Sequence, residues 1–222
     1  MRVITMSSTL LSVGHRAVEI LIGTTNPGKV AEIEAALKDL PIQVISLNRL
    51  GNFPNVVEDG KSYEENALKK ARALAEFSGY LTLADDSGLE VDALNGAPGI
   101  LSARYSGENA NDARNNEKLL RVLAGLPQEK RGARFVCVIA LCSPISSDGR
   151  ERVFRGECEG WIALEPRGEN GFGYDPLFFY PPLGKTFAEI DRETKGRFSH
   201  RGKALAKLKR ALPPLLRAFI NP

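Results

Sequence analysis

Cysteine and histidine are scarce in this chain. Its three cysteines, Cys137, Cys142 and Cys158, are an odd number and form no CxxC pair. That argues against a disulfide scaffold and a cysteine zinc site, and it points to a reducing compartment. The two histidines, His15 and His200, are too few for a multi-histidine metal site. No apolar run approaches the ~20 residues that a membrane helix needs. Repeats, low-complexity stretches, zinc-finger spacings, arginine-rich blocks and aromatic RNA-binding motifs are all missing, so a stable nucleic-acid partner is not expected.

The remainder is of globular make-up. The chain has 222 residues, 43% hydrophobic and 26% charged. That suffices for a core, and the length suits one domain or one domain with two lobes. The net charge of +3 is uneven: residues 185–222 carry a net +7, which leaves −4 for the rest. Such a basic end suits a phosphorylated small molecule, or it is the solvated face of a helix over 203–217. Residues 1–18 are Ser-rich, with two arginines and no acid. They have the flavour of a transit peptide, of a start codon placed too early, or of a disordered tail. We treat them as a flexible N-terminal extension, with 19–222 as one domain.

Strands alternate with helices, the mark of an α/β fold. Val18–Ile22 is β-branched and reads as a strand. Val30, Ile33, Leu37 and Leu40 then recur at helical spacing, and a strand is expected at 43–47. Ser62 and Glu65 form a capping box before a helix with an apolar face from Ala67 to Ala75. Further strands are expected at 80–84, 133–141 and within 151–162, with a helix at 111–123. Pro213-Pro214 should interrupt the last helix. Trp161 reads as core.

Three segments carry chemistry. The first is Gly23-Thr24-Thr25-Asn26-Pro27-Gly28-Lys29, between a strand and a helix. There, backbone N–H groups and the helix dipole point at an anion, and Lys29 adds a full charge. The segment nearly spells a P-loop, but Val30 stands where the magnesium-holding hydroxyl belongs, and Pro27 removes one N–H. An ordinary strand-to-helix turn is the bland alternative.

The second is Asp85-Asp86-Ser87-Gly88, at the end of an apolar strand, where α/β proteins place ligands, with Ser87-Gly88 permitting a sharp turn. Strand alternation aims the two carboxylates oppositely, so one of them faces a given metal. Glu58, in Glu58-Asp59-Gly60, offers another hard oxygen. Magnesium takes one or two carboxylates plus substrate phosphate oxygens, and Glu58 and Asp86 could supply them. The alternative is two polar turns.

The third runs from Gly171-Phe172-Gly173-Tyr174-Asp175 to Lys195 and Ser199-His200-Arg201. Phe172 can stack on a base, and Asp175 can accept from a ring N–H. Lys195 suits phosphate, while His200 and Arg201 suit carbonyl oxygens on a base edge. Phe172 and Tyr174 could equally be core aromatics, and His200 structural.

Taken together, the motifs TTNPGK, SYEENALKKA, LADDSGLEVDALNGAPGILSARYSG, GENGFGYDPLFF, GKTFAEI and SHRGKAL, in this order, resemble the inosine triphosphate pyrophosphatase family, also called XTP/dITP diphosphatases. The resemblance spans residue 19 to about residue 212. It implies magnesium-dependent hydrolysis of ITP, dITP and XTP to the monophosphate and pyrophosphate, in the cytoplasm. It also implies an elongated two-lobed α/β subunit with a central mixed sheet, a groove between the lobes, and a homodimer. Carried over by position, Asp86 is the general base and a metal ligand, with Glu58 a further ligand. Thr24, Thr25, Asn26, Pro27, Gly28 and Lys29 form the triphosphate loop, and Ser87 touches substrate. Phe172, Gly173, Tyr174, Asp175, Lys195, His200 and Arg201 recognise the nucleotide.

Overall fold

The computed structural model describes residues 18–144 and 151–220. Apart from Val18, the extension expected at 1–18 lies outside them. Seven strands form one mixed sheet in the order β2-β1-β3-β4-β5-β6-β7. These are β1 Val18–Ile22, β2 Ile42–Ser46, β3 Leu81–Val91, β4 Gly132–Cys142, β5 Glu151–Ile162, β6 Phe178–Tyr180 and β7 Lys185–Thr186. β1 runs parallel to both β2 and β3, and the pairings from β3 to β7 are antiparallel. The helices are α1 Pro27–Leu37, α2 Tyr63–Ser78, α3 Asp112–Val122, α4 Arg192–Phe198 and α5 His200–Ile220. The α/β class and the mixed sheet expected from the sequence are both present.

Local chemistry explains the boundaries. Asn26 caps α1, its side chain accepting from the Lys29 N–H, and Pro27 fills the first helical position, where no N–H is needed. Ser62 caps α2 by accepting from the Glu65 N–H. Glu65, however, reaches back to the Lys61 N–H rather than to Ser62, so the capping box is one residue wider than expected. Gly79, at φ 72°, ends α2 in the left-handed conformation, its N–H bonded to Ala75 O.

Four expectations need correction. Asp85-Asp86-Ser87-Gly88 does not end its strand, and Ser87-Gly88 makes no sharp turn: all four lie inside the eleven-residue strand β3, paired with β4. Pro213 and Pro214 do not interrupt α5. Both are exposed, so the carbonyls they leave without a donor can be solvated. Leu40 falls beyond the end of α1. Trp161 is 42% exposed, stacked on Phe179 rather than buried.

The unequal lengths of β1 and β3 create the site. β1 pairs with β3 only through Leu81, Leu83 and the residue between them. Beyond Ile22 the chain turns away into α1, so the β3 edge from Ala84 onward has no strand beside it. On the face carrying the odd-numbered β3 residues, two apolar clusters form. One gathers Leu81 and Leu83 with Cys137, Ile139, α1 and α5. The other gathers Leu89 and Val91 with Phe135, Phe178 and Leu119 of α3. Asp85 and Ser87 fall between them. On the opposite face, Ala67, Ala71 and Ala75 of α2 pack on Ala84, Val136 and Val138. Gly156 lets α5 press onto β5, for a Cβ there would lie 2.2 Å from His200 O. That contact lays the start of α5 over the sheet face from which Asp85 projects, within reach of Arg201.

Candidate functional site

A concave cavity, open to solvent, follows the free edge of β3, with polar side chains converging on it. Its two ends differ in chemistry. At one end Asp86 points to the α2 side of the sheet. It accepts from Asn66 Nδ2 (3.0 Å) and from the Ser87 N–H (2.8 Å). Burial pushes the Asp86 carboxyl above its usual range, and the Glu58 charge acts in the same direction, against Lys70 and Asn66. Lys70 sits between the acids, 3.1 Å from Glu58 Oε2 and donating to Asp85 O (2.7 Å).

Asp85 faces the other way, as strand alternation requires. It is fully buried and pairs with Lys29 (3.1 Å) and Arg201 (3.0 Å). Burial alone would raise its pKa, but Lys29 and Arg201 outweigh that and hold the carboxyl well below the usual range. From Arg201 the charges alternate onward: Arg201 to Glu32 (2.6 Å), Glu32 to Lys195 (2.8 Å) and Lys195 to Asp175 (2.5 Å). Arg201 also donates to Ser87 Oγ (2.9 Å).

This chain of charges ends under the aromatic loop. Asp175 Oδ2 accepts the Phe172 N–H (2.9 Å), and Lys195 lies 4.6 Å from the centre of the Phe172 ring. Phe172 rests on Gly28, where a Cβ would lie 2.4 Å from the ring, so a side chain there would displace it. Outside the loop, α3 grips one residue at both ends. Asp112 Oδ2 accepts the Gly173 N–H (2.6 Å), and Asn116 Nδ2 donates to the Gly173 carbonyl (2.8 Å). His200 is buried, its ring 4.5 Å from that of Phe135, and its Nδ1 has no hydrogen-bond partner among the described residues. Burial, then Arg201 and Lys195, push its pKa well below the usual histidine value, so the ring is neutral.

The structure therefore gathers most of the residues singled out from the sequence. Asn26, Lys29, Glu58, Asp86 and Ser87 share the cavity wall with Phe172, Gly173, Tyr174, Asp175, Lys195, His200 and Arg201. Thr24 and Thr25 instead line an adjoining cavity, which shares Glu58 with the first. Pro27 is exposed at the first turn of α1. Gly28 supports Phe172 rather than lining the wall. Tyr174 is core, donating its hydroxyl to Ser102 O (2.9 Å). Lys29, Lys195 and Arg201 are not free cations awaiting phosphate, because each is paired with a buried carboxylate.

Glu32, Lys70, Asn66 and the Asp112–Asn116 clamp escaped the sequence reading. One signal could have found two of them. Asn66 and Lys70 are four apart in α2, hence on one helix face, and Asn66 borders the apolar stripe. A polar residue at such a position calls for a partner.

For a metal, Asp86 and Glu58 offer hard oxygens at one end of the cavity. Among the described residues no group of three or more His, Cys, Asp or Glu gathers into a metal site. Two carboxylates completed by substrate oxygens is a donor set that magnesium uses, and Asp86, buried and set against the Glu58 charge, stands to gain from a cation. The residues fit magnesium.

Fold and cavity define an α/β protein with an open site on the free edge of a mixed sheet, lined by converging charged and aromatic side chains. The family described as Ham1 family matches residues 20–211, and the chain belongs to it. It is 52% identical over 203 residues to a protein of Desulforamulus reducens named dITP/XTP pyrophosphatase, covering 91% of this chain and 98% of that one. A Geobacter sulfurreducens protein of the same name is 55% identical over 190 residues, covering 86% and 94%. The solved structure of a HAM1 protein from Coxiella burnetii matches with a TM-score of 0.80 at 44% identity, covering 89% of this chain and 99% of that one. The likeness read from the motifs is thereby borne out, and the P-loop alternative falls away.

Proposed function

We propose that this chain is a magnesium-dependent nucleoside triphosphate pyrophosphohydrolase that converts dITP, XTP and ITP to the monophosphate and pyrophosphate, clearing deaminated purines from the cytoplasmic nucleotide pool. We further propose that it works as a homodimer of elongated two-lobed subunits, with the cavity in the groove between the lobes. One observation carries the reading: a single cavity joins an acidic end, Asp86 with Glu58, to an aromatic end built on Phe172 and Asp175.

The polyphosphate lies toward Asp86, and the purine stacks on Phe172. Asp86 orients and deprotonates the water that attacks the α-phosphorus, and pyrophosphate leaves. Its carboxylate is held in place for that role by the Asn66 amide and the Ser87 N–H. Bound magnesium would supply charge neutralisation at the phosphate oxygens. Phosphoryl chemistry of this kind is mostly positioning and electrostatics, which is what a prebuilt cavity offers.

Base choice rests on the six-position. Hypoxanthine and xanthine carry a carbonyl there and a proton on N1. Asp175 Oδ2 is occupied by Lys195 and the Phe172 N–H, which leaves Oδ1 for the N1 proton. Adenine lacks that proton and would leave buried groups unpaired. Asp175→Ala should therefore narrow the preference for ITP over ATP, and an unchanged ratio of kcat/KM values removes Asp175 from base recognition.

The activity itself is tested by product analysis. With ITP and magnesium the protein should release IMP and pyrophosphate in equal amounts. Release of orthophosphate, or no turnover, overturns the proposal.

A further inference from the structure

Four cationic side chains line the main cavity: Lys29, Arg104, Lys195 and Arg201. Three are committed to buried carboxylates. Lys29 pairs with Asp85, Lys195 with Glu32 and Asp175, and Arg201 with Asp85 and Glu32. Arg104 differs. It is exposed, and among the described residues its side chain makes one hydrogen bond, from Nη2 to the Glu58 carbonyl (2.9 Å). Among the described residues no carboxylate pairs with it.

Its backbone is nonetheless well anchored. Arg104 ends the 3-10 segment Gly99–Arg104. Ser102, two residues earlier, accepts the Leu89 N–H of β3 (2.8 Å) and donates to Gly99 O (2.6 Å). The Ser102 carbonyl receives the Tyr174 hydroxyl, and Asn115 Nδ2 of α3 donates to the Ala103 carbonyl (3.1 Å). A rigid segment thus holds a free guanidinium over the end of the cavity that contains Glu58 and Asp86.

Charge makes the consequence plain. The unmatched groups at that end are mostly acidic, and a nucleoside triphosphate adds about four more negative charges near neutral pH, a phosphoryl group carrying up to about two. A guanidinium presents its donors in a fork that matches phosphate oxygens. We infer that Arg104 contacts the substrate: its guanidinium binds the phosphate chain at the Glu58 end and holds the pyrophosphate as it leaves. This rests on the function proposed above.

The test uses the full chain with magnesium, comparing wild type, R104K and R104Q. Glutamine keeps a donor for the Glu58 carbonyl but carries no charge. Calorimetry measures binding of inorganic pyrophosphate and of IMP, alongside kcat/KM for ITP. R104Q should weaken pyrophosphate binding about tenfold and lower kcat/KM about tenfold or more, the scale of one charge-assisted contact, with IMP binding held within about twofold. R104K, which keeps the charge but not the fork, should recover part of both losses. Unchanged pyrophosphate binding in R104Q, an equal loss of IMP binding, or a wild type that does not bind pyrophosphate overturns the inference. A wild type that cleaves ITP to IMP and pyrophosphate while R104Q matches it refutes the role of Arg104 alone. A wild type that releases no pyrophosphate refutes the function on which the inference rests.

Discussion

The two ends of the cavity handle charge in opposite ways. At the aromatic end the buried charges are matched: Asp85, Arg201, Glu32, Lys195 and Asp175 alternate through the protein interior. Burying such a chain costs desolvation, which good geometry offsets, and losing any one member leaves its neighbours buried and unpaired. At the acidic end, Asp86 and Glu58 share one lysine, and among the described residues Arg104 has no acidic partner. The first end is finished without a ligand, and so is suited to shape and selection. The second is electrostatically incomplete, and so is suited to a cation and a polyphosphate. Substitutions at the first end should register mainly in stability, and those at the second mainly in turnover.

Lys195→Met should give the largest effect. It strips a partner from both Glu32 and Asp175 and should destabilise the fold by about 3–5 kcal/mol in urea unfolding. A loss no greater than that of an average surface substitution would break the contrast between the ends. Asp86→Asn should behave in the reverse manner. It should cost at least about 2 kcal/mol of transition-state stabilisation, read as a fall in kcat. Because the Asp86 pKa is raised, ionised Asp86 is a burden on the fold above the ordinary carboxylate range, so the melting temperature should hold or rise. An unchanged kcat would reject the assignment.

His200 supplies a pH test. Its pKa is lowered in the folded protein, so below about 6.5 the unfolded chain binds a proton that the folded one does not. Stability should then fall as pH falls, with a contribution of up to about 1.4 kcal/mol per pH unit. His200→Gln should flatten that slope, and a slope equal to wild type would show that His200 titrates alike in both states. Asp112→Ala should give the smallest effect. Losing the solvent-exposed, charge-assisted hydrogen bond from the Gly173 N–H, worth about 1.5 kcal/mol, should raise KM several-fold with kcat retained. Asp112→Asn keeps an accepting oxygen and should restore KM, and failure to do so would point to the charge rather than the hydrogen bond.

Much of the frame was legible in the sequence, because local rules dominate there. Asn26 before Pro27 and Ser62 before α2 cap helices through contacts within a few residues. The acidic pair, the aromatic loop and the basic start of α5 stood out as unusual residue types in tight groups. What escaped was long-range. Asp85-Asp86-Ser87-Gly88 read as the end of a strand, with a sharp turn permitted at Ser87-Gly88, because polar residues with glycine commonly mark one. Only pairing with β4 shows why a strand can carry them: Asp85 meets Lys29 and Arg201, residues far away in sequence. Glu32 sits on a helix as an ordinary acid, and nothing nearby in sequence reveals that it joins Lys195 to Arg201. Cations expected to be free for phosphate proved paired for the same reason.

Hydrolysis of dITP in ¹⁸O-enriched water, with magnesium, tests the site most directly. Attack at the α-phosphorus by water held at Asp86 places the label in dIMP and leaves the pyrophosphate unlabelled. Label in pyrophosphate or in orthophosphate would contradict it.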